Sequence, residues 1–382
     1  MSRASDVVVV GAGVFGAWTA LQLRRTGRSV TLVDAFGTGS SRSSSSGASR
    51  IIRVGYGAEA IYSRWAQRSF HAWRELFREW RQELFIRTGV LWMARTEDPI
   101  IDKTIDILTR LHVPFEQLDR PELEQRYPQF NFGPIVRGVV EPDAGVILAR
   151  RSVQLVVRQA IKQSVDYQVT AVTAPSGHGQ VVALNTSDGS HLSAGTFVFA
   201  CGPWLPKLFP AVLGDRIHPT RQEVFFFGAE PGDRRFIAPN MPAWIDFVGG
   251  VYGSPDLEGR GFKVGLDHHG PPVDPDAGER VASDDALKVA RMILARRVPS
   301  LKQAPLLEAR VCQYANSWNG DFLIDRHPDH ENVWLVGAGS GHGFKHGPAI
   351  GDYVTGQLSG RERPETRFTL AGHQEKQNRG IF

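Results

Sequence analysis

Three glycines near the start of the chain have the spacing of a nucleotide-binding turn. Gly11, Gly13 and Gly16 follow a β-branched run at residues 6–10 and precede a helical pattern, and Asp34 ends the next apolar run. Glycines at this spacing allow a tight turn, a close approach of the backbone to a pyrophosphate and close packing of a helix on a strand. A carboxylate after the second strand can accept hydrogen bonds from an adenosine ribose. The sequence therefore predicts a dinucleotide bound near the N-terminus.

A second glycine-rich turn lies near the other end of the chain. Residues 339–343 (GSGHG) follow the apolar run 333–336, and Phe344 and Lys345 come directly after them. Backbone N–H groups in such a turn can stabilise negative charge on a bound group. Lys345 follows this turn directly and Arg53 follows the serine-rich segment 37–49; a guanidinium can clamp a carboxylate through two parallel hydrogen bonds. Taken singly, either residue is equally consistent with a solvated surface charge.

The cysteines and histidines indicate neither a disulfide framework nor a metal site. Two cysteines, Cys201 and Cys312, cannot form a disulfide framework, so a reduced, cytoplasmic compartment is expected. A lone cysteine is usually an inert buried residue, although its thiolate is a capable nucleophile when cations lie nearby. The histidines lack the spacing of metal ligands on a common helix, so no metal site is predicted.

The apolar patterns place these residues on alternating strands and helices. Strands are predicted at residues 6–10, 29–33, 88–94, 138–140, 167–174, 196–200, 224–227, 243–246, 261–265 and 333–336, and helices after Gly16 and at 61–80, 152–163 and 283–296. The serine-rich segment 37–49 has the composition of a flexible linker. Its position directly after Asp34 predicts instead a loop beside the bound phosphates.

Composition excludes several protein classes. The chain has 382 residues, of which 42% are hydrophobic and 22% charged, so it is a globular protein large enough for two domains. Its net charge is +4, without the basic stripe of a nucleic-acid binder. The apolar run 7–23 contains three glycines as well as Thr19 and Gln22, so we expect a buried strand, turn and helix there rather than a membrane span.

Five segments show that the chain resembles a known family. They are VVVVGAGVFG, SRIIRVGYG, RGFKVG, VCQY and GSGHGFKHGPAIG. With these, the chain is similar to the monomeric sarcosine oxidase group of FAD-dependent amine oxidoreductases, within the wider D-amino-acid-oxidase-like family. The resemblance implies an α/β protein in which a Rossmann-like FAD-binding domain is interleaved with an antiparallel-sheet α+β substrate domain. We expect residues 1–85, 140–214 and 311–382 to form the first domain and residues 86–139 and 215–310 to form the second.

The resemblance also implies roles for single residues. Cys312 stands where the family carries a cysteine bonded through sulfur to the flavin 8α-methyl group, whereas Cys201 has no such context. Lys345 matches a lysine that contacts the substrate carboxylate, and Arg53 is its expected partner. Lys263 matches the lysine held over the flavin near its reactive N5, where a cation would stabilise superoxide and so favour an oxidase.

Three further residues are expected at the substrate pocket. Tyr252 and Tyr314 match tyrosines that border it in the family, although each is equally consistent with a packed core tyrosine. Asp267 departs from the pattern, because members that oxidise sarcosine carry a histidine there. An acid at this position would repel a second carboxylate and favour a cationic or hydroxylated substituent. Alternatively, a small shift would bring His268 or His269 inward.

The implied activity is oxidation of the C–N bond of a secondary (N-methyl or cyclic) amino acid or related amine to an imine, with oxygen reduced to hydrogen peroxide. The residues expected to contact FAD are Gly11, Gly13, Val14, Phe15, Gly16, Asp34, Ala35, Ser43, Ser46, Ser49, Arg50, Val169, Cys201, Gly202, Trp204, Cys312, Gly339, Gly341, His342, Gly343, Phe344 and Lys345. The other expected partners are a small-molecule amine and oxygen, with no nucleic acid and no membrane, in a monomer or simple homo-oligomer.

Two alternatives stay open at this point. A flavin-dependent amine or amino-acid dehydrogenase would share the cofactor but pass its electrons to an acceptor other than oxygen, and Lys263 argues against it. A flavin-dependent RNA-modifying protein or a non-catalytic nucleotide-binding protein is supported only by the basic charge.

Overall fold

The computed structural model describes residues 4–374 of the chain. The strands are β1 (Ser5–Val10), β2 (Val30–Asp34), β3 (Arg50–Ile52), β4 (Phe85–Ile86), β5 (Val90–Ala94), β6 (Glu116–Asp119), β7 (Arg137–Glu141), β8 (Gly145–Ile147), β9 (Asp166–Val169), β10 (Ala183–Asn185), β11 (His191–Phe199), β12 (Ile217–Phe227), β13 (Ala243–Asp246), β14 (Val251–Ser254), β15 (Phe262–Leu266), β16 (Leu306–Ser317), β17 (Leu323–Arg326) and β18 (Val333–Gly337). The α-helices are α1 (Val14–Arg25), α2 (Ala60–Glu79), α3 (Pro99–Arg110), α4 (Arg120–Arg126), α5 (Ala149–Lys162), α6 (Leu205–Leu208), α7 (Pro210–Leu213), α8 (Asp284–Arg297) and α9 (Gly347–Leu358).

A mainly parallel sheet forms the centre of the part that is expected to bind the nucleotide. Its seven strands run in the order β17-β18-β11-β1-β2-β9, with β10 paired to β11. The valines of β1 are buried on both faces, as a central parallel strand requires. Helix α1 packs against α5 and α9 on one face. Because parallel strands end at the same edge of a sheet, the loops after β1, β2, β11 and β18 converge there.

A second sheet carries the residues expected around the substrate. Its eight strands run in the order β16-β12-β15-β14-β13-β5-β7-β6, and every pair except β13 with β5 is antiparallel. Lys263 lies opposite Ser254, and Cys312 lies opposite Gln222. The strands β16, β15 and β14, which carry Cys312, Lys263 and Tyr252, therefore lie within four neighbouring strands of this sheet. Strands β3, β8 and β4 form a small third sheet.

The structure confirms the predicted α/β fold class and the opening strand-helix-strand unit. The helices predicted at 61–80, 152–163 and 283–296 correspond to α2, α5 and α8. The strand predicted at 167–174 is longer than β9, because β9 pairs only with β2 and β2 ends at Asp34. The prediction missed β16 entirely, and this strand continues across the proposed domain boundary at residue 310. The division into domains stays a prediction. Within residues 4–374, no helix is long and apolar enough to cross a membrane.

Candidate active site

The loop after β1 is a tight turn without room for side chains. Gly11 has a φ of +102°, and a Cβ there would lie 2.5 Å from the carbonyl oxygen of Ala200. A Cβ on Gly16 would lie 1.8 Å from the carbonyl oxygen of Gly11. Asp34 accepts a hydrogen bond from the Ala12 N–H at 2.7 Å. The turn thus combines a bare backbone with a nearby carboxylate, as a dinucleotide requires.

The serine-rich segment is an ordered loop that folds over the start of α1. It contains a 3-10 turn at Ser44–Ser46, and the Ser45 Oγ accepts a hydrogen bond from the Val14 N–H at 3.0 Å. The Ser43 Oγ accepts one from the Ser45 N–H at 3.1 Å. The Ser46 Oγ is buried and has no hydrogen-bond partner within residues 4–374. The contact of the Ser45 hydroxyl with the start of α1 supports the expectation of a phosphate-side loop rather than a linker.

A cavity of about 320 Å³ extends between the two glycine-rich turns. Residues expected at FAD that line it are Gly11, Gly13, Val14, Phe15, Asp34, Ala35, Ser43, Arg50, Cys201, Gly202, Trp204, Gly339, Gly341, Gly343 and Phe344. Together they offer a bare turn for a pyrophosphate, a carboxylate for a ribose and the main chain of a second turn for an anionic ring. The residues present therefore fit FAD.

A second cavity, of about 280 Å³, shares Ser43, Arg50 and Tyr314 with the first. Cys312 and Lys263 line it, and the Arg50 Nη2 donates a hydrogen bond to the Cys312 Sγ at 3.4 Å. Its charged lining residues are Arg42, Arg50, Arg150, Lys263, Arg280 and Arg310, and no carboxylate of the described residues joins them. Burial, and then the charge of Arg50, lower the pKa of Lys263 to about 7. This positive cavity suits a ring system that becomes negatively charged on reduction.

Arg53 and Lys345, predicted to bind a carboxylate, approach the same tyrosine ring. The Arg53 guanidinium lies 4.4 Å from the centroid of Tyr56 and 4.3 Å from that of Trp92. The Lys345 Nζ lies 5.0 Å from the Tyr56 centroid and donates a hydrogen bond to its hydroxyl at 2.7 Å. Both cations are buried. Burial and the charge of Arg53 lower the pKa of Lys345 well below its usual value, and an anion bound here would oppose that shift by stabilising the ammonium form.

Asp267 is close enough to Lys345 and to the predicted tyrosines to act electrostatically on all three. Tyr252 and Tyr314 hydrogen-bond each other through their side chains. Burial raises the pKa of Tyr252 to about 12 and that of Tyr314 well above its usual value, and the nearby Asp267 carboxylate adds to both increases. The same carboxylate opposes the lowering of the pKa of Lys345. The structure thus brings Asp267 into the site, while His268 and His269 are exposed.

Several predicted FAD contacts lie away from the two cavities. The Val169 side chain is 62% exposed, although its backbone pairs with Asp34. The His342 ring is buried, and its Nε2 faces the Gly320 carbonyl oxygen at 3.1 Å. Ser49 reaches the site indirectly, because its Oγ and carbonyl oxygen accept weak hydrogen bonds from Lys263 at 3.4 and 3.3 Å.

Sequence reasoning missed the residues that hold Arg53 in place. Glu141, at the end of β7, is 1% exposed. It accepts hydrogen bonds from the Val54 N–H at 2.7 Å, the Gly55 N–H at 3.2 Å and the Trp92 Nε1 at 2.9 Å. The only sequence signal for Glu141 is an acidic residue at the end of an apolar strand. The groups that Glu141 contacts are distant from it along the chain. Glu141 therefore fixes both the backbone after Arg53 and the indole beneath it.

Comparison with known proteins identifies the family. The family model described as FAD dependent oxidoreductase matches residues 6–357. The chain belongs to this family. The resemblance expected from the five sequence segments is therefore confirmed, and FAD is the cofactor of this family. Among residues 4–374, no group of three or more His, Cys, Asp and Glu side chains could hold a metal ion.

Curated relatives of this FAD-dependent oxidoreductase are similar over nearly the whole chain. Monomeric sarcosine oxidase from Bacillus sp. (strain B-0618) is 29% identical over 362 residues, which cover 93% of this chain and 92% of that protein. Human peroxisomal sarcosine oxidase is 30% identical, with 91% of this chain and 90% of that protein covered. N-methyl-L-tryptophan oxidase from Citrobacter koseri is 28% identical, with 93% and 95% covered.

Solved structures show the same fold at lower sequence identity. L-proline dehydrogenase from P. horikoshii superposes with a TM-score of 0.83 at 19% identity, covering 97% of this chain and 98% of that one. Fructosamine oxidase (Amadoriase II) from Aspergillus fumigatus gives a TM-score of 0.77 at 23% identity, with 97% and 90% covered. These likenesses confirm the fold expected from the sequence.

Proposed function

We propose that this protein oxidises the C–N bond of a secondary amino acid, N-methylated or cyclic, or a related amine, to an imine, with oxygen reduced to hydrogen peroxide. The observation that carries the proposal is the buried pair Arg53 and Lys345 beside Asp267, Tyr252 and Tyr314. Two buried cations that approach the same tyrosine ring suit the carboxylate of an amino acid. Relatives that are named oxidases of sarcosine and of N-methyl-L-tryptophan support the amine class.

When bound, FAD supplies the acceptor for a hydride equivalent from the amine and returns the electrons to oxygen. Cys312 is the residue that would carry it as a thioether. The position of Cys312 supports this assignment, because its Sγ accepts a hydrogen bond from Arg50 and it lines the same cavity as Lys263. Lys263 would stabilise negative charge on oxygen as it is reduced, because its buried amine faces the same cavity as Cys312.

The chain's own groups would bind and orient the amine. Arg53 and Lys345 would hold the carboxylate, which places the reacting carbon at a fixed distance from the ring. Tyr252 and Tyr314 would border the substituent on nitrogen, and Asp267 would favour a hydroxyl or a cation on the substrate. Orientation of this kind supplies a large part of the rate enhancement in reactions without acid-base chemistry.

The expected division of labour between the two sheets belongs to the same proposal. Residues 1–85, 140–214 and 311–382 would bind FAD, and residues 86–139 and 215–310 would cover the amine. We also propose that the protein works in the cytoplasm as a monomer or simple homo-oligomer. Free Cys201 and Cys312 suit a reduced compartment, and size-exclusion chromatography at several concentrations would test the oligomeric state.

The test combines flavin retention with an amine screen. Purified wild-type protein and Cys312→Ala are precipitated with acid, and the pellet and supernatant are examined for flavin absorbance. We expect flavin in the wild-type pellet and in the supernatant of the variant. Peroxide release is then measured for secondary amino acids and for the corresponding amines that lack a carboxylate. Flavin released from wild type would remove the covalent assignment, and absence of peroxide alongside reduction of an artificial acceptor would favour a dehydrogenase.

A further inference from the structure

The Tyr56 hydroxyl is the centre of a buried hydrogen-bond cluster. It lies 2.7 Å from the Lys345 Nζ, 2.8 Å from the His346 Nε2 and 3.3 Å from the His342 Nδ1. Tyr56 is 3% exposed, and the two histidines and the lysine are also buried. Buried polar groups of this kind each need a defined hydrogen-bonding role, because an unsatisfied one costs free energy.

The partners of the two histidines assign their protons. The His342 Nε2 faces the Gly320 carbonyl oxygen at 3.1 Å, which can only accept, so this nitrogen carries the hydrogen and the Nδ1 is an acceptor. The His346 Nδ1 has no hydrogen-bond partner within residues 4–374. A buried N–H without an acceptor is costlier than a bare nitrogen, so the hydrogen of His346 lies on Nε2. Burial keeps His346 neutral by lowering its pKa well below the usual value.

These assignments determine the direction of each hydrogen bond to Tyr56. The hydroxyl donates to the His342 Nδ1, and its oxygen accepts from the His346 Nε2 and from the Lys345 Nζ. Both lone pairs and the single hydrogen of the hydroxyl are then used. The Lys345 Nζ has one further partner among the described residues, the His342 carbonyl oxygen at 3.2 Å. A carboxylate bound beside Lys345 stabilises its ammonium form, which has three donors, so one N–H remains, with its direction set by the other two bonds.

We propose that Tyr56 is a positioning residue, held as an acceptor by His346 and His342, which aims the remaining N–H of Lys345 at the substrate carboxylate. The inference rests on the proposed function, in which Lys345 binds that carboxylate. It adds a residue to the machinery that neither touches the reacting atoms nor lines the two cavities. A purely structural Tyr56 would instead only fill space among Tyr62, His342 and His346, with ring centroids at 5.5, 5.7 and 5.3 Å.

The test uses the FAD-loaded enzyme and compares Tyr56→Phe with Tyr62→Phe. Both substitutions remove one buried hydroxyl from the same aromatic cluster, but that of Tyr62 bonds Asp321 at 2.6 Å and not Lys345. Two quantities report on carboxylate binding: the affinity for acetate, measured from the change in flavin absorbance, and KM for an amino acid. KM for the matching amine without a carboxylate is measured for comparison. We expect Tyr56→Phe to weaken both carboxylate ligands by about 10- to 100-fold. The KM of the amine and the values of Tyr62→Phe should stay near wild type.

A second pair of variants covers the case in which Tyr56→Phe does not fold. His346→Leu removes the Nε2 donor, whereas His346→Gln keeps an N–H donor at this position. We expect weaker carboxylate binding for the first and recovery of most of the affinity for the second. Equal loss for amine and amino acid, or equal behaviour of His346→Leu and His346→Gln, would overturn the inference.

Lys345→Met separates this inference from the proposed function. Reduced carboxylate affinity in Lys345→Met with unchanged affinity in Tyr56→Phe would overturn the positioning role alone. Unchanged carboxylate affinity in Lys345→Met would instead overturn the binding of the carboxylate by Lys345, and with it the premise of this inference.

Discussion

Replacing Glu141 with glutamine should destabilise the protein by removing an acceptor from buried donors. The carboxylate serves the N–H groups of Val54, Gly55 and Trp92 with two oxygens. An amide has one oxygen. In the more favourable orientation of the amide, its oxygen still accepts the hydrogen bonds from the Gly55 N–H and the Trp92 Nε1. The NH₂ group then faces the Val54 N–H, which in the wild type lies 2.7 Å from a carboxylate oxygen. The substitution therefore leaves at least one buried donor unsatisfied and makes the two retained bonds neutral.

The expected loss follows from these three bonds. An unsatisfied buried donor costs about 1–3 kcal/mol. Changing a charged acceptor to a neutral one removes about 1 kcal/mol from each of the other two bonds. We expect Glu141→Gln to lower the free energy of unfolding by about 3–5 kcal/mol. The affinity for acetate should also fall, because the backbone after Arg53 and the indole beneath it are released.

The assay is urea unfolding of the flavin-loaded enzyme, followed by tryptophan fluorescence. Glu124→Gln is the matched control, since Glu124 is 55% exposed and pairs with Arg120 on the surface. Its free energy of unfolding should change by less than about 1 kcal/mol. A loss below about 1 kcal/mol for Glu141→Gln would refute the accounting of these buried donors.

Three further predictions test other parts of the site. Gly16→Ala should abolish retention of FAD, measured as the flavin-to-protein absorbance ratio, because its Cβ would lie 1.8 Å from the Gly11 carbonyl oxygen; retention equal to wild type would contradict the turn geometry. The pKa of Lys263 is lowered to about 7 by burial and Arg50, so its charge is lost as pH rises through that value. Stopped-flow reoxidation by oxygen should therefore slow between about pH 6 and pH 9 in wild type, whereas Lys263→Met should be at least about 10²-fold slower than wild type near pH 6 and independent of pH. Asp267→Asn should lower kcat/KM for substrates with a cationic or hydroxyl substituent relative to apolar ones, and an unchanged ratio in a peroxide assay would exclude contact with the substituent.

Local sequence was sufficient for the nucleotide-binding half. The turn at Gly11 and Gly16 and the carboxylate of Asp34 act through neighbours within about one strand-helix-strand unit, so spacing alone predicts their geometry. The same holds for helices such as α2, whose apolar side faces the core with a regular period. The assignment of Cys312, Lys263 and Lys345 needed the resemblance to a family, because a single cysteine or lysine has no pattern of its own.

Only the tertiary structure decided which side chains share one environment. Tyr56 and His346 are 290 residues apart, and Glu141 is 87 residues from Val54, yet each pair is joined by a hydrogen bond. Such contacts depend on how strands of different sheets and the loop before α9 are packed, which no local period encodes. For the same reason, the inward position of Asp267 beside Lys345 could not be distinguished in the sequence from that of His268 or His269. Spacing predicted a bound dinucleotide and the resemblance to a family predicted that it is FAD, whereas packing across the fold determined where each proton donor points.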